Sequence, residues 1–191
     1  MDGRVNGDSR PAAEGIGLLA APTFVYLPMT IALVAGALAS PKPAIGAAMT
    51  AFGVFLWTIG EYVVHRFVEH GTIVRAKYIE NHLRHHREPW PAEHFVYSLR
   101  QTLPIVPLIF AEAWLVSWEI HRAMGVAAGI IGSYLVNEWV HFVAHRPELA
   151  RDRPVLAFMA KNHLRHHHEN AQRHFGFFTS FWDRVLGSHA P

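Results

Sequence analysis

The sequence predicts an all-α integral membrane protein, with four transmembrane helices in two hairpins and a cytoplasmic helical cap holding a histidine-rich site for two metals. Three observations carry this reading. Hydrophobic residues make up 51% of the 191 and charged residues only 17%, more apolar than an ordinary soluble domain. The apolar residues gather into long runs without charge. Fifteen histidines are present, and most of them stand just beyond the ends of those runs.

Taken in order, residues 1–22 mix Gly, Pro, Asp and Arg without apolar periodicity and lack the order of a cleaved signal peptide. They read as an N-terminal tail, with 23–191 as a single domain. From Thr23 to Ser40 no residue is charged, and the run is close to the roughly 20 residues needed to cross a bilayer. Pro41, Lys42 and Pro43 break it. Ala44 to Gly60 is again uncharged, up to Glu61, which completes the first hairpin. The second hairpin is Leu103 to about Ile120, interrupted by Glu112 and Glu119, followed by Ala123 to about Val136 in a helix that should continue to His145. Carboxylates in such spans must face protein or the interface, because they are costly in lipid.

The polar segments 65–102 and 146–191 hold six and seven of the seventeen Lys and Arg residues, whereas the turns near Lys42 and Arg122 hold one each. By the positive-inside rule the two polar segments are cytoplasmic, in a multi-pass protein of a bacterial inner membrane. A sequence pI of about 9.2 would suggest nucleic acid only if the cations formed a stripe, which they do not, so nucleic acid is excluded as a partner. Nothing in the chain specifies an oligomeric state. There is no cysteine, so disulfides, thiolate metal sites and cysteine nucleophiles are excluded together, and any metal must be held by nitrogen or oxygen.

An internal repeat organises the polar segments. Asn81-His82-Leu83-Arg84-His85-His86 recurs as Asn162-His163-Leu164-Arg165-His166-His167, and each copy follows a histidine pair at a hairpin exit, His65 with His70 and His141 with His145. In NHLRHH the first histidine lies three and four residues before the others, so on a helix all three imidazoles can share one face. His65 and His70 are five apart, about 140° on a regular helix, which requires a bend, a helix end or ligation of different metals. Histidines that merely snorkel at an interface would explain one such cluster. Four clusters at span ends are not explained that way, because ten crowded imidazoles without a cation leave buried nitrogens unsatisfied. A metal takes four to six ligands, so ten histidines suit two ions. Imidazole suits zinc, iron, copper and nickel alike; a closed zinc site needs only four ligands, so two histidine-rich sites with open positions fit redox iron better.

The boxes HRFVEH, HLRHH, HFVAH and HLRHH, with the closing segment HFGFFTSFWDRVLG over 174–187, resemble the membrane fatty acid hydroxylase and sterol desaturase superfamily over about residues 55–188, nearest in flavour to fatty acid 2-hydroxylases. The resemblance implies a di-iron centre that uses O2 and electrons to hydroxylate an unactivated C–H bond of a membrane lipid, a fatty acyl chain being favoured. Zinc is compatible with purified protein. By the same resemblance the ligands are His65, His70, His82, His85, His86, His141, His145, His163, His166 and His167, their division between the two metals left open. Carotenoid ring hydroxylation and lipid or sterol desaturation are alternatives within the superfamily. A divalent-metal transporter is the non-enzyme alternative, and it requires ionisable residues in mid-span rather than at span ends.

No haem, flavin or nicotinamide motif is present, so electrons are expected from a separate ferredoxin or cytochrome b5-like protein with its reductase. Arg84, Arg87, Arg165 and Arg173 form a basic surface for that donor or for lipid phosphates. Glu61 and Asn137, four residues before His65 and His141, are candidates to accept the far N–H of those rings. Asp183 is a candidate to orient a C-terminal ligand helix. Glu69, Glu80 and Glu138 are weaker candidates, and Phe52, Phe55 and Trp57 read as packing or lipid-facing groups.

Overall fold

The computed structural model describes residues 15–71, 77–89, 91–150 and 152–190. All regular structure among them is helical. The first helix, α1 (Ile16–Leu38), opens at Gly15 in a left-handed conformation and contains Pro22 and Pro28. The apolar span thus starts seven residues earlier than expected, because proline inside a lipid-facing helix does not end it when nearby groups satisfy the freed carbonyls. The part of the expected tail up to residue 14 lies outside the described residues.

Helix α2 (Pro43–Val63) runs without a break into a π-helical turn, Val64–Glu69. The helix α3 (Lys77–Arg87) holds the first NHLRHH. The third span is built from pieces: a 3-10 turn at Ala92–His94, α4 (Leu99–Thr102), a 3-10 turn at Leu103–Ile105, and α5 (Val106–Ser117). It ends at Trp118, in the left-handed region at φ 50. Glu119, expected near the end of this span, instead caps α6 (Ile120–Ala144), accepting from the N–H groups of His121 and Arg122. That removes one of the two carboxylates from the apolar segment. α6 reaches His145, its C-cap, as the sequence predicts. A short α7 (Pro147–Ala150), α8 (Pro154–His168) with the second NHLRHH, and α9 (Phe181–Val185) complete the chain.

Four segments are long and apolar enough to span a membrane: 16–38, 43–69, 92–117 and 120–144. They are not equivalent. Over its 18-residue apolar stretch α6 is 67% buried, whereas those of the others are 6–17% buried and present residues such as Phe24, Ile31, Leu108 and Leu115 outward. α6 packs against α1, α2, α5 and α8, so the two hairpins are joined through one central helix.

Small residues let this helix approach α2. A Cβ on Gly129 would stand 2.2 Å from the carbonyl oxygen of Thr50, and one on Gly53 would stand 2.2 Å from that of Val126. Neither backbone atom can move aside cheaply, which is the close-packing use of glycine between membrane helices. Gly129→Val is therefore expected to lower stability by about 3 kcal/mol or more. It should also reduce metal content, because α2 and α6 each lead into a histidine pair. Thermal melting with metal analysis checks this, and wild-type values in both would refute it.

Candidate metal centre

Ten histidines converge where α2, α3, α6 and α8 meet, in two groups of five. His65, His70, His82, His86 and His166 form one, and His85, His141, His145, His163 and His167 form the other. Within each group the nearest ring nitrogens all lie within 4.8 Å of one another. They are the ten histidines that the sequence puts forward as candidate ligands. The partition is new, because both NHLRHH helices are split. The first gives His82 and His86 to group one and His85 to group two; the second gives His163 and His167 to group two and His166 to group one. On an α-helix residues i and i+4 stay within about 40° of one another while i+3 falls about 60° to the other side of i, so each triad straddles the boundary instead of sharing one face.

The π turn places His65 with His70. Its bond from the His70 N–H to the His65 carbonyl, 3.1 Å, spans five residues and brings the two rings together, tilted by 58° with centroids 5.1 Å apart. One extra residue in the helix thus answers the five-residue spacing. The two histidines serve one group, not different ones.

In group one the Nε2 atoms of His70, His82, His86 and His166 close a cycle, with distances of 2.7 Å (His70 to His82), 3.1 Å (His82 to His86), 3.1 Å (His86 to His166) and 3.0 Å (His166 to His70). Nitrogens about 2.1 Å from one shared ion and at right angles around it stand about 3.0 Å apart. Group two shows the same spacing, 2.9 Å between Nε2 of His85 and His141 and 3.0 Å between those of His145 and His163. The groups meet through the stacked rings of His86 and His167, 4.1 Å apart.

The surroundings set the tautomers. His65 Nδ1 lies 2.5 Å from the Phe175 carbonyl and His166 Nδ1 lies 2.7 Å from the Arg173 carbonyl. A carbonyl only accepts, so both Nδ1 atoms carry the hydrogen and both Nε2 atoms turn bare lone pairs inward. His82 Nδ1 faces the Glu69 carboxylate at 3.5 Å, and Glu69 is held from its other oxygen by the Tyr97 hydroxyl at 2.8 Å. Inward lone pairs facing one another repel unless a cation lies among them. The Nε2 atoms of His65 and His167 are also buried without a hydrogen-bond partner. The residues therefore fit metal ions on geometry, tautomer and donor chemistry together.

Burial keeps the imidazoles neutral. It pushes His82, His145 and His163 well below the usual histidine range, with the neighbouring imidazoles adding to the effect. The same cause lowers His70 and His86 to about 3. His166 is lowered to about 4 by burial, against which its bond to the Arg173 carbonyl works. Neutral imidazole is the ligand form, so the site needs no deprotonation at neutral pH.

The orienting residues differ from those expected. Glu61 does not hold His65: its buried carboxylate accepts the backbone N–H groups of Phe177, at 2.5 Å, and Phe178, at 3.2 Å. The carbonyl of Phe175 has the place on His65 instead. Asn137 does not hold His141, and its Oδ1 is buried without a partner. Glu138 receives the Tyr97 N–H at 3.4 Å.

Asp183, put forward as orienting a C-terminal ligand helix, bonds instead to the backbone of a loop. Wholly buried, it accepts from the N–H groups of Phe175 (2.8 Å) and Gly176 (3.0 Å) and from the Ser188 hydroxyl (2.7 Å). Asp183 and Glu61 thus clamp the loop whose carbonyls orient His166 and His65. Tyr97 and the two carbonyls carried no sequence signal: one is a lone tyrosine in a loop, the others are main chain. Asp183→Asn, which turns an amide towards at least one of those donors, is expected to weaken metal retention 10- to 100-fold while helix content stays at the wild-type level. Zinc competition against a chelator, with circular dichroism alongside, measures both. Unchanged retention would remove Asp183 from this role.

The five remaining histidines, His94, His121, His168, His174 and His189, stand outside both groups, as the sequence indicated. Phe52 and Phe55 stack on one another at the outer face of α2, and Trp57 packs on Tyr134.

A four-span helical membrane protein with ten inward histidines in two groups is the class that fold and site define. The chain belongs to the fatty acid hydroxylase family, whose model matches residues 50–188. It is 30% identical over 177 residues to the ceramide very long chain fatty acid hydroxylase SCS7 of Saccharomyces cerevisiae, covering 86% of this chain and 44% of that protein. It is 31% identical over 150 residues to the dihydroceramide fatty acyl 2-hydroxylase FAH1 of Arabidopsis thaliana, covering 71% and 58%. The human fatty acid 2-hydroxylase is 24% identical over 145 residues, covering 73% and 38%. The chain thus spans about half the length of these curated relatives. A solved structure of full-length Scs7p, in which only the hydroxylase domain is visible, shares the fold, with a TM-score of 0.68 at 24% identity over 91% of this chain and 67% of that one.

Proposed function

We propose that this protein hydroxylates a fatty acyl chain of a membrane lipid, with the ten histidines holding two iron ions. The observation that carries the proposal is the pair of five-imidazole groups, in the first of which the outer nitrogens of His65, His82 and His166 face carbonyls and a carboxylate so that their inward nitrogens are bare. The relatives' names add the carbon beside the acyl carbonyl as the position attacked. When bound, the ions supply the redox chemistry by which a C–H bond, O2, two electrons and two protons become C–OH and water. The protein's own part is to hold neutral ligands in place, keep them dry under the 173–178 loop, and set the acyl chain against them.

The electrons come from a separate ferredoxin or cytochrome b5-like donor with its reductase, drawn to the exposed Arg84, Arg87 and Arg173 and to Arg165 by salt-sensitive steering. The histidine centre faces the cytoplasm. A Lys42→Cys probe is then expected to react only from outside and an Arg84→Cys probe only from inside, and the reverse pattern would refute this orientation. The test of function is whole-lipid mass spectrometry of a host expressing the chain or its His163→Ala variant. A gain of one oxygen on acyl chains, absent in the variant, is expected. Loss of two hydrogens would mean desaturation, and identical lipids would overturn the proposal.

A further inference from the structure

A groove runs beside the centre between α8 and the segment leading into α9. Phe158 and Phe178 line its apolar part, Lys161, Arg165 and Arg184 its basic part, and Phe177 lies at its inner wall. Nothing acidic is among the lining residues. Arg165 pairs with Glu169 at 2.8 Å. Lys161 and Arg184, both exposed, make no ion pair or side-chain hydrogen bond among the described residues. Phe177 is stacked on His163 with ring centroids 4.1 Å apart, so the groove is one aromatic ring from group two.

Its depth is set by α9. The Trp182 indole donates to the Thr58 hydroxyl at 3.0 Å, and its ring lies 5.9 Å from that of Phe55, both on a membrane span. Around the groove Phe158 is 77% exposed, Val155 69%, Phe181 54% and Val185 57%. An apolar patch of this kind, continuous with a span, is covered by acyl chains. Two unpaired cations beside it attract anionic lipid by about a factor of five each.

We propose that this groove binds the phosphate headgroup of an anionic membrane lipid, with its acyl chains over Phe158 and Phe178. A phosphodiester satisfies Lys161 and Arg184 at the point where the chains leave the interface. A neutral or zwitterionic head leaves both cations without a net counter-charge. The site is independent of the reaction at the centre and stands whether or not the protein is a hydroxylase.

The test is native mass spectrometry of the metal-loaded protein released from nanodiscs of equal dioleoyl phosphatidylcholine and dioleoyl phosphatidylglycerol. Wild type is expected to retain one phosphatidylglycerol in preference to phosphatidylcholine. The Lys161→Gln/Arg184→Gln variant should lose that preference by about 30-fold with metal content unchanged. A Lys42→Gln/Arg122→Gln variant, changed at the opposite turns, should behave as wild type. Equal retention of the two lipids by wild type would overturn the proposal, as would an unaltered preference in the groove variant. Displacement of the lipid by millimolar inorganic phosphate would show a free-anion site and overturn it equally.

Discussion

Replacing His85 together with His163 by alanine is expected to leave one metal ion firmly held per chain, and replacing His82 together with His85 to weaken the hold on both ions. The first pair takes two ligands from one group and the second takes one from each. His85 and His163 come from different copies but belong to one group, whereas His82 and His85 are neighbours in one copy and belong to two. If each copy served its own ion, His82→Ala/His85→Ala would keep one ion and the crossed arrangement would be wrong. Loss of even an orienting residue costs a metal site 10- to 100-fold in affinity, so losing ligands should take the proposed acyl hydroxylation below ~1% of wild type in either variant. Metal analysis after dialysis against a chelator reads the first outcome, and lipid mass spectrometry the second.

The second large effect is the response of the metal-free protein to acid. Buried His166 protonates only near pH 4, and His70 and His86 only near 3, whereas imidazoles released into water protonate near 6.5. Above that value both states are neutral and stability is at its full level. As the pH falls through 6.5 towards 4 the opened chain takes up protons that the folded one refuses, so stability falls. Each fully buried ring contributes about 1.4 kcal/mol per pH unit. The partly exposed His70 and His86 contribute less than His166, because solvent screens them. The melting temperature of metal-free protein should therefore drop steeply between pH 6.5 and 4. Metal-loaded protein should hold its value until protons compete for the nitrogens and then lose ions and fold together. A flat profile for the metal-free protein would contradict buried neutral imidazoles.

Much of this architecture was readable in the chain because it is encoded locally. The runs 44–60 and 123–136 lie within observed spans, since hydropathy over some twenty residues decides whether a segment favours lipid. The ten ligand candidates were legible for the same reason: box spacings are short-range. The missed boundaries have local causes too. Pro22 stands inside α1 although residues 1–22 read as a tail, and Glu119 reads as a charge within a span although it caps the next helix. Glu61 and Asn137 were assigned to histidines by i,i+4 spacing, but in a packed site a partner from another segment competes for the same nitrogen. The Phe175 carbonyl, 110 residues from His65, took that place.

The sequence by itself determined that the protein is helical, sits in a membrane and carries ten histidines in two repeated sets, because periodicity, hydropathy and repeats need no third dimension. The tertiary structure decided how those histidines are shared. A triad at i, i+3 and i+4 spans about 100° of a helix, wide enough to face two centres at once. Which ring turns to which centre depends on α3 and α8 packing across α2 and α6, and on a 173–178 loop pinned by Asp183 and Glu61 that supplies carbonyls from far along the chain. Those approaches join residues distant in sequence, so no local pattern contains them.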